Sequence, residues 1–169
     1  VAGEFEGTAD FDPGPDVDNH VSNGSCDAFL TKFDSSGNFI WACTWGGTEL
    51  DTGWGAAVDG SGNVYVAGYF WGTVDFDPGP DVDNHASNGE YDPFLTKFDS
   101  SGNFIWARTW GGTQGDAGYR AAVDGSGNVY VTGSFVGTAD FDPGPGIDNH
   151  VSNGYGDAFL SKFPPDGNW

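Results

Sequence analysis

Positive charge is what this sequence has least of: five Lys and Arg stand against 25 Asp and Glu, for a formal net charge of -20. Nucleic-acid binding needs clustered cations to replace phosphate counterions, so the scarcity excludes it. An anionic membrane surface is excluded on the same ground. Methionine is absent and cysteine occurs only twice. No apolar run approaches the ~18 residues of a membrane-spanning helix, so no membrane insertion is expected. No segment carries a helical period either. What fills the chain instead is glycine, 29 residues of it, and aromatic side chains at 16%. Phe, Trp, Tyr and Val recur at strand-like spacing, which is not the composition of a disordered segment.

The main fact is a repeat. Phe-Asp-Pro-Gly-Pro begins at Phe11, Phe76 and Phe141, a period of 65 residues. Asp27, Asp92 and Asp157 follow it, as do Lys32, Lys97 and Lys162. The chain therefore holds about 2.6 copies: a partial first copy over 1–58, which includes the strand leading into the next, a second over 59–123, and a partial third over 124–169. Near-identity implies that each copy does the same structural job. Val1-Ala2-Gly3 aligns with mid-strand sequence, so a processed product or an excerpt of a longer polypeptide is expected.

Within a copy, Gly118 to Asp124 and Val129 to Phe135 read as strands flanking an Asp-Gly-Ser-Gly-Asn turn. Phe94 to Phe98 and Phe104 to Trp110 read as a second pair around Asp99-Ser-Ser-Gly-Asn103. Phe104, Trp106 and Trp110 are expected on one face of the last strand, with Ile105 and Ala107 on the other. A strand apolar on both faces belongs to a sheet held between neighbours. The fold expected is all-β: tandem four-stranded antiparallel blades of a β-propeller type, with a β-sandwich or solenoid as the alternative.

The runs DGSGNVYVAG, D-x-FLTKFD-SSGNFIWA-x-TWGG and D-x-G-x-x-AAVD resemble the bacterial SBBP-type (seven-bladed β-propeller) repeat family over nearly all of each copy. The resemblance implies a propeller fold and a secreted or cell-surface location, and it carries no shared catalytic activity. The acidic Phe-Asp-Pro-Gly-Pro loop between the hairpins departs from the family pattern. A ring needs about four blades, so the remainder is expected from further repeats of the chain or from other copies, by strand-edge addition.

The acidic loop is the most chemical feature. Asp10, Asp12, Asp16, Asp18 and Asn19 recur as Asp75, Asp77, Asp81, Asp83 and Asn84, and again as Asp140, Asp142, Asp148 and Asn149, with Gly146 in place of the third Asp. Like charges this close cost roughly 1 kcal/mol per pair in water, and more at a protein surface. Ca²⁺ removes that cost and prefers six to eight hard oxygen ligands. These residues are therefore expected to bind Ca²⁺, the third loop most weakly; the alternative is a solvated turn held by Asx hydrogen bonds.

Cys26 and Cys43 flank one hairpin and are both replaced in the next copy, by Tyr91 and Arg108. They are expected to form a disulfide. His20, His85 and His150 form no zinc-like cluster and read as loop-packing residues. Asn23-Gly-Ser25 is an isolated glycosylation sequon. The regular Trp41, Trp45, Trp106 and Trp110 read as filler between blades. Trp54 and Trp71 break the repeat, with Tyr119 and Val136 as counterparts, and are expected at an exposed surface or an interface. No unrepeated acid, base and nucleophile stand out, so no catalytic residue and no enzyme is expected. The function expected is a calcium-stabilised extracellular scaffold that self-assembles as a filament or surface layer. The alternative is an adhesin-like propeller that recognises glycans or proteins.

Overall fold

The computed structural model describes all 169 residues, and every regular element in it is a β-strand. In chain order these are β1 (Ala2–Phe5), β2 (Thr8–Asp10), β3 (Asn19–Val21), β4 (Asp27–Phe33), β5 (Phe39–Trp45), β6 (Asp51–Val58), β7 (Val64–Asp75) and β8 (Asn84–Phe98). They continue with β9 (Phe104–Thr109), β10 (Gly111–Gly112), β11 (Ala117–Val123), β12 (Val129–Phe135), β13 (Thr138–Asp140), β14 (Asn149–Val151) and β15 (Asp157–Phe163).

The strands form several small antiparallel sheets. The central one has four strands in the order β6-β7-β8-β9; its neighbours, β1-β4-β5 and β11-β12-β15, have three each. The sequence turns explain the hairpins. In each of Asp34–Asn38, Asp59–Asn63, Asp99–Asn103 and Asp124–Asn128, one Asp oxygen accepts the N–H groups two and four residues on, and the other accepts the Asn side-chain amide. The Gly before each Asn takes the left-handed conformation the turn requires, as at Gly102 with φ 88°. These hydrogen bonds hold Asp34, Asp99 and Asp124 below the usual carboxylate range, Asp124 at about 2.

The acidic segment is not a plain loop. It is the tip of a β-hairpin extension, paired as Thr8–Asp10 with Asn19–Val21, Thr73–Asp75 with Asn84–Ala86, and Thr138–Asp140 with Asn149–Val151. The third extension also pairs with the preceding unit: Gly111 and Gly112 lie opposite Asp140 and Ala139. A single bridge from Gly46 to Asp75 repeats this one unit earlier. A side chain at Gly112 would strike the Thr138 carbonyl, which is why the repeat keeps glycine there.

The main sheets stack face to face. Ala28, Leu30 and Trp45 of the first bury against Val66, Phe70, Phe94 and Phe98 of the second. The opposite face of the second sheet, with Ala67, Leu95, Trp106 and Trp110, buries against Val131, Phe135 and Phe163 of the third. Each fully buried Phe or Leu contributes roughly 2–3 kcal/mol. Lysines tie the stack at its edge: Lys32 Nζ donates to the Ser100 carbonyl at 2.7 Å and Lys97 Nζ to the Pro165 carbonyl at 2.9 Å.

Two expectations are corrected. Phe104 does not share a face with Trp106: a bulge between Lys97 and Phe98 shifts the register, so Phe104 joins Ala107 in the first core while Ile105 is exposed. Cys26 and Cys43 are free thiols, not a disulfide. Cys43 pairs with Leu30, four residues along from Cys26, which is about 13 Å of extended strand. A disulfide spans no more than about 7 Å between Cα atoms. Cys43 is buried, its Sγ lies 3.8 Å from the Leu30 carbonyl, and burial pushes its thiol up to about 12.

Candidate functional site

At each acidic tip two of the carboxylates are engaged by the loop's own backbone. One Asp10 oxygen accepts the N–H of Asp12 at 3.1 Å and of Asp18 at 2.9 Å, and Asp12 accepts Gly14 N–H at 2.7 Å. Asp75 and Asp77 repeat the pattern with Asp83 and Gly79, and Asp140 and Asp142 with Asp148 and Gly144. Asp18 lies 3.4 Å from His20 Nε2, while His20 Nδ1 shares a hydrogen bond with the Thr44 hydroxyl at 3.0 Å. His85 does the same with Asp83 and Thr109, and His150 keeps the Asp148 contact. Phe11, Phe76 and Phe141 anchor the tips, each edge-on to its His at 5.3 Å. Asp16 and Asp81 stay exposed, and Asn19, Asn84 and Asn149 pair with Asp10, Asp75 and Asp140 in the extensions.

This arrangement does not fit the calcium cage expected from the sequence. No three acidic, imidazole or thiol side chains converge to hold a metal ion. Backbone N–H groups already compensate the charge at Asp10 and Asp12, and Asp18 leans on its histidine. The tips are Asx turns, the alternative to a calcium cage. Adding Ca²⁺ or EDTA is accordingly expected to leave the melting temperature unchanged. A calcium-dependent rise of about 5 °C or more would show that the tips rearrange to gather their oxygens.

A second set of carboxylates was not singled out as a site by sequence. Asp27, Asp51, Asp92 and Asp116 are almost fully buried at the joints between sheets. Asp51 accepts the N–H of Gly47 at 2.7 Å and of Trp71 at 3.2 Å; Asp116 accepts Gly112 at 2.6 Å and Val136 at 2.8 Å. Each thus staples the Gly-Gly crossover of one unit to the strand end of the next. Asp27 and Asp92 accept Asn23 and Asn88 N–H through Oδ2, leaving a buried Oδ1 without a partner. Asp92 and Asp116 approach the same glycine: a Cβ on Gly111 would lie 2.5 Å from Asp92 Oδ1 and 3.0 Å from Asp116 Oδ2. Burial pushes Asp51 up to about 7 against its two N–H donors, with Asp27 adding to the rise. Burial likewise pushes Asp92 to about 7, with Asp116 adding, and raises Asp27 and Asp116.

Perturbed carboxylate pairs are a signature of catalytic sites. Here the pairs recur at successive joints and sit under glycine backbone in tight packing, where Asp51 and Asp116 tie one unit to the next. One open, polar surface groove lies between Asp77–Asp81 and His20, Cys43 and Thr44. Its counterpart in the next unit has Arg108 for Cys43 and Gly146 for Asp81.

No family model matches the chain. It is 32% identical over 157 residues to the Regulatory protein FlaEY of Caulobacter vibrioides, a match covering 90% of this chain and 16% of that protein. It is 31% identical over 114 residues to the Uncharacterized WD repeat-containing protein L264 of Acanthamoeba polyphaga mimivirus, covering 59% of this chain and 8% of that one. The chain thus spans less than a fifth of either relative.

Proposed function

We propose that the chain is a stretch of a non-enzymatic propeller-type scaffold, in which each 65-residue unit is one four-stranded blade of the SBBP type and successive blades cover one another's faces. The observation that carries this reading is the double-sided burial of the central sheet by equivalent residues. Trp45 packs on Phe94 and Phe98, and 65 residues later Trp110 packs on Phe159 and Phe163. The flanking sheets fit the same unit, since β1, β4 and β5 correspond to β7, β8 and β9, and β11, β12 and β15 to β6, β7 and β8. The WD-repeat name of the mimivirus relative supports a propeller. The regulatory name of the Caulobacter relative is compatible with a non-enzymatic role. An extracellular or cell-surface location rests on the repeat resemblance alone, since the cysteines are free thiols.

The outer face of the third sheet presents the stacking positions uncovered. Leu160 is 66% exposed where Leu30 and Leu95 are 2% and 0%. On this reading the face takes another unit head to tail, from further along a longer polypeptide or from a second copy. Such heterologous contacts close into rings or run on as filaments. Sedimentation of the 169-residue chain is expected to show concentration-dependent association that Leu160→Asp abolishes, with circular dichroism unchanged. Equal association by Leu160→Asp, or a strict monomer at every concentration of the unaltered chain, would defeat the self-assembly reading.

A further inference from the structure

The copies differ most sharply at one face between the second and third sheets. Tyr69 stands where the other copies have Glu4 and Ser134, Trp71 where they have Glu6 and Val136, and Tyr91 where they have Cys26 and Gly156. These three are neighbours. Trp71 and Tyr91 lie directly opposite each other on β7 and β8, and the Tyr69 ring is 5.1 Å from Tyr91. Burial raises the Tyr91 phenol, with Tyr119, Glu90, Tyr69 and Tyr155 adding in that order. Tyr119 extends the face toward Trp54, its ring 6.2 Å away. The rings stay open to solvent: Trp71 is 45% exposed and Tyr91 37%.

The face is accommodated by a paired change in the chain. In the first unit Cys26 bridges to Leu50; in the second, Tyr91 comes with Gly115. Any side chain on Gly115 would collide with the Tyr91 ring, whose hydroxyl lies 2.7 Å from the Cβ position. The aromatic residue and the space for it therefore arrive together.

The chain's own cations indicate what such rings take. Lys32 lies over Trp41, Lys97 over Tyr65, Arg108 over Trp106 and Lys162 over Tyr130, at 5.1 to 5.9 Å. The fifth cation, Arg120, donates to the backbone carbonyls of Trp54 and Tyr119. None covers Tyr69, Trp71 or Tyr91. Acid flanks these rings: Glu90 adjoins Tyr91, and the Glu49 side chain comes within 3.5 Å of the Cβ position of Gly72, next to Trp71. Open rings beside carboxylates, on a molecule of net charge -20, attract a cation from outside.

We infer that Tyr69, Trp71 and Tyr91, with Tyr119 and Trp54 at their margin, form a docking surface for a basic polypeptide segment, held by Lys or Arg side chains over the rings. This surface is complete within the chain and does not depend on further units stacking. The probe is hexa-arginine, titrated at physiological ionic strength and followed by tryptophan fluorescence and calorimetry. The combined variant Trp71→Val and Tyr69→Ser carries the residues that the third unit holds at these positions, and it keeps the net charge. It is expected to bind the peptide about tenfold or more weakly. Glu49→Gln with Glu90→Gln is expected to weaken it in the same direction while leaving the rings in place. Unchanged affinity in the ring variant would reduce the attraction to bulk charge and overturn the proposal. Ring-dependent binding of a neutral oligosaccharide such as cellohexaose, without binding of the peptide, would overturn it in favour of a glycan surface.

Discussion

At pH 8 the Asp92→Asn chain is expected to melt about 5 °C above the unaltered one, and by pH 5 the difference is expected to vanish. Asp92 is buried with one oxygen unpartnered, and its folded value is raised from 3.8 to about 7 by burial and by Asp116. A raised carboxylate means the folded state binds more protons than the unfolded one between these values. Stability from this group is then full below about pH 4 and is lost as pH rises through about 7, with no further change above it. Keeping the ionised form buried costs roughly 4 kcal/mol at alkaline pH. Asn removes that charge but leaves its amide unpartnered, a cost of about 1–3 kcal/mol, so the net gain is about 1–3 kcal/mol.

The neighbouring position separates this cause from general acidity. Asp51 is also raised to about 7, yet both its oxygens accept backbone N–H groups. Asn there turns an amide donor toward a donor, so Asp51→Asn is expected to melt well below Asp92→Asn at the same pH. Self-repulsion of a chain with net charge -20 also eases at low pH, but it treats the two variants alike. Differential scanning calorimetry of both between pH 5 and pH 8 checks this. Parallel curves for the two variants would show that the buried pairs do not set the pH dependence.

Local signals made much of this fold readable. The Asp-x-x-Gly-Asn turns announced the hairpins because each turn satisfies its own backbone with its own side chain, and the period of 65 fixed their recurrence. What depended on neighbours in space was not readable. The side of the sheet that Phe104 faces follows from a one-residue bulge at Phe98 that no composition rule marks. The acidic tips looked like ligand sets because a sequence lists carboxylates without saying that Asp10 and Asp12 are already bonded to the loop's own N–H groups. Asp51 and Asp92 repeat as faithfully as the turn residues, so alignment between copies could rank them but not bury them. The irregularity that pointed to Trp54 and Trp71 also marks Tyr69 and Tyr91, and applying it to every aromatic position would have found the whole face.

Gly68→Ala is expected to destabilise the chain by about 3 kcal/mol or more, a fall in melting temperature of roughly 10 °C. Gly68 sits in the middle of β7, opposite Gly53 on one side and Phe94 on the other. A Cβ there would fall inside the van der Waals shell of the Thr52 carbonyl oxygen and 2.7 Å from the Phe94 ring. Neither obstacle yields cheaply. The carbonyl belongs to the backbone of the adjacent strand, and the ring is locked between Phe76 of its own unit at 5.2 Å and Trp45 of the first sheet at 6.2 Å. One methyl group therefore strains a strand pair and the sheet-to-sheet core at once. Gly133 repeats the geometry against the Ala117 carbonyl and Phe159, so Gly133→Ala is expected to act alike. Gly60→Ala is the matched control: its Cβ meets nothing within 4 Å and its backbone is not left-handed, so a change within about 0.5 kcal/mol is expected. If urea unfolding gave Gly68→Ala and Gly60→Ala the same midpoint, the close approach of β6, β7 and β8 that builds the central sheet would be wrong.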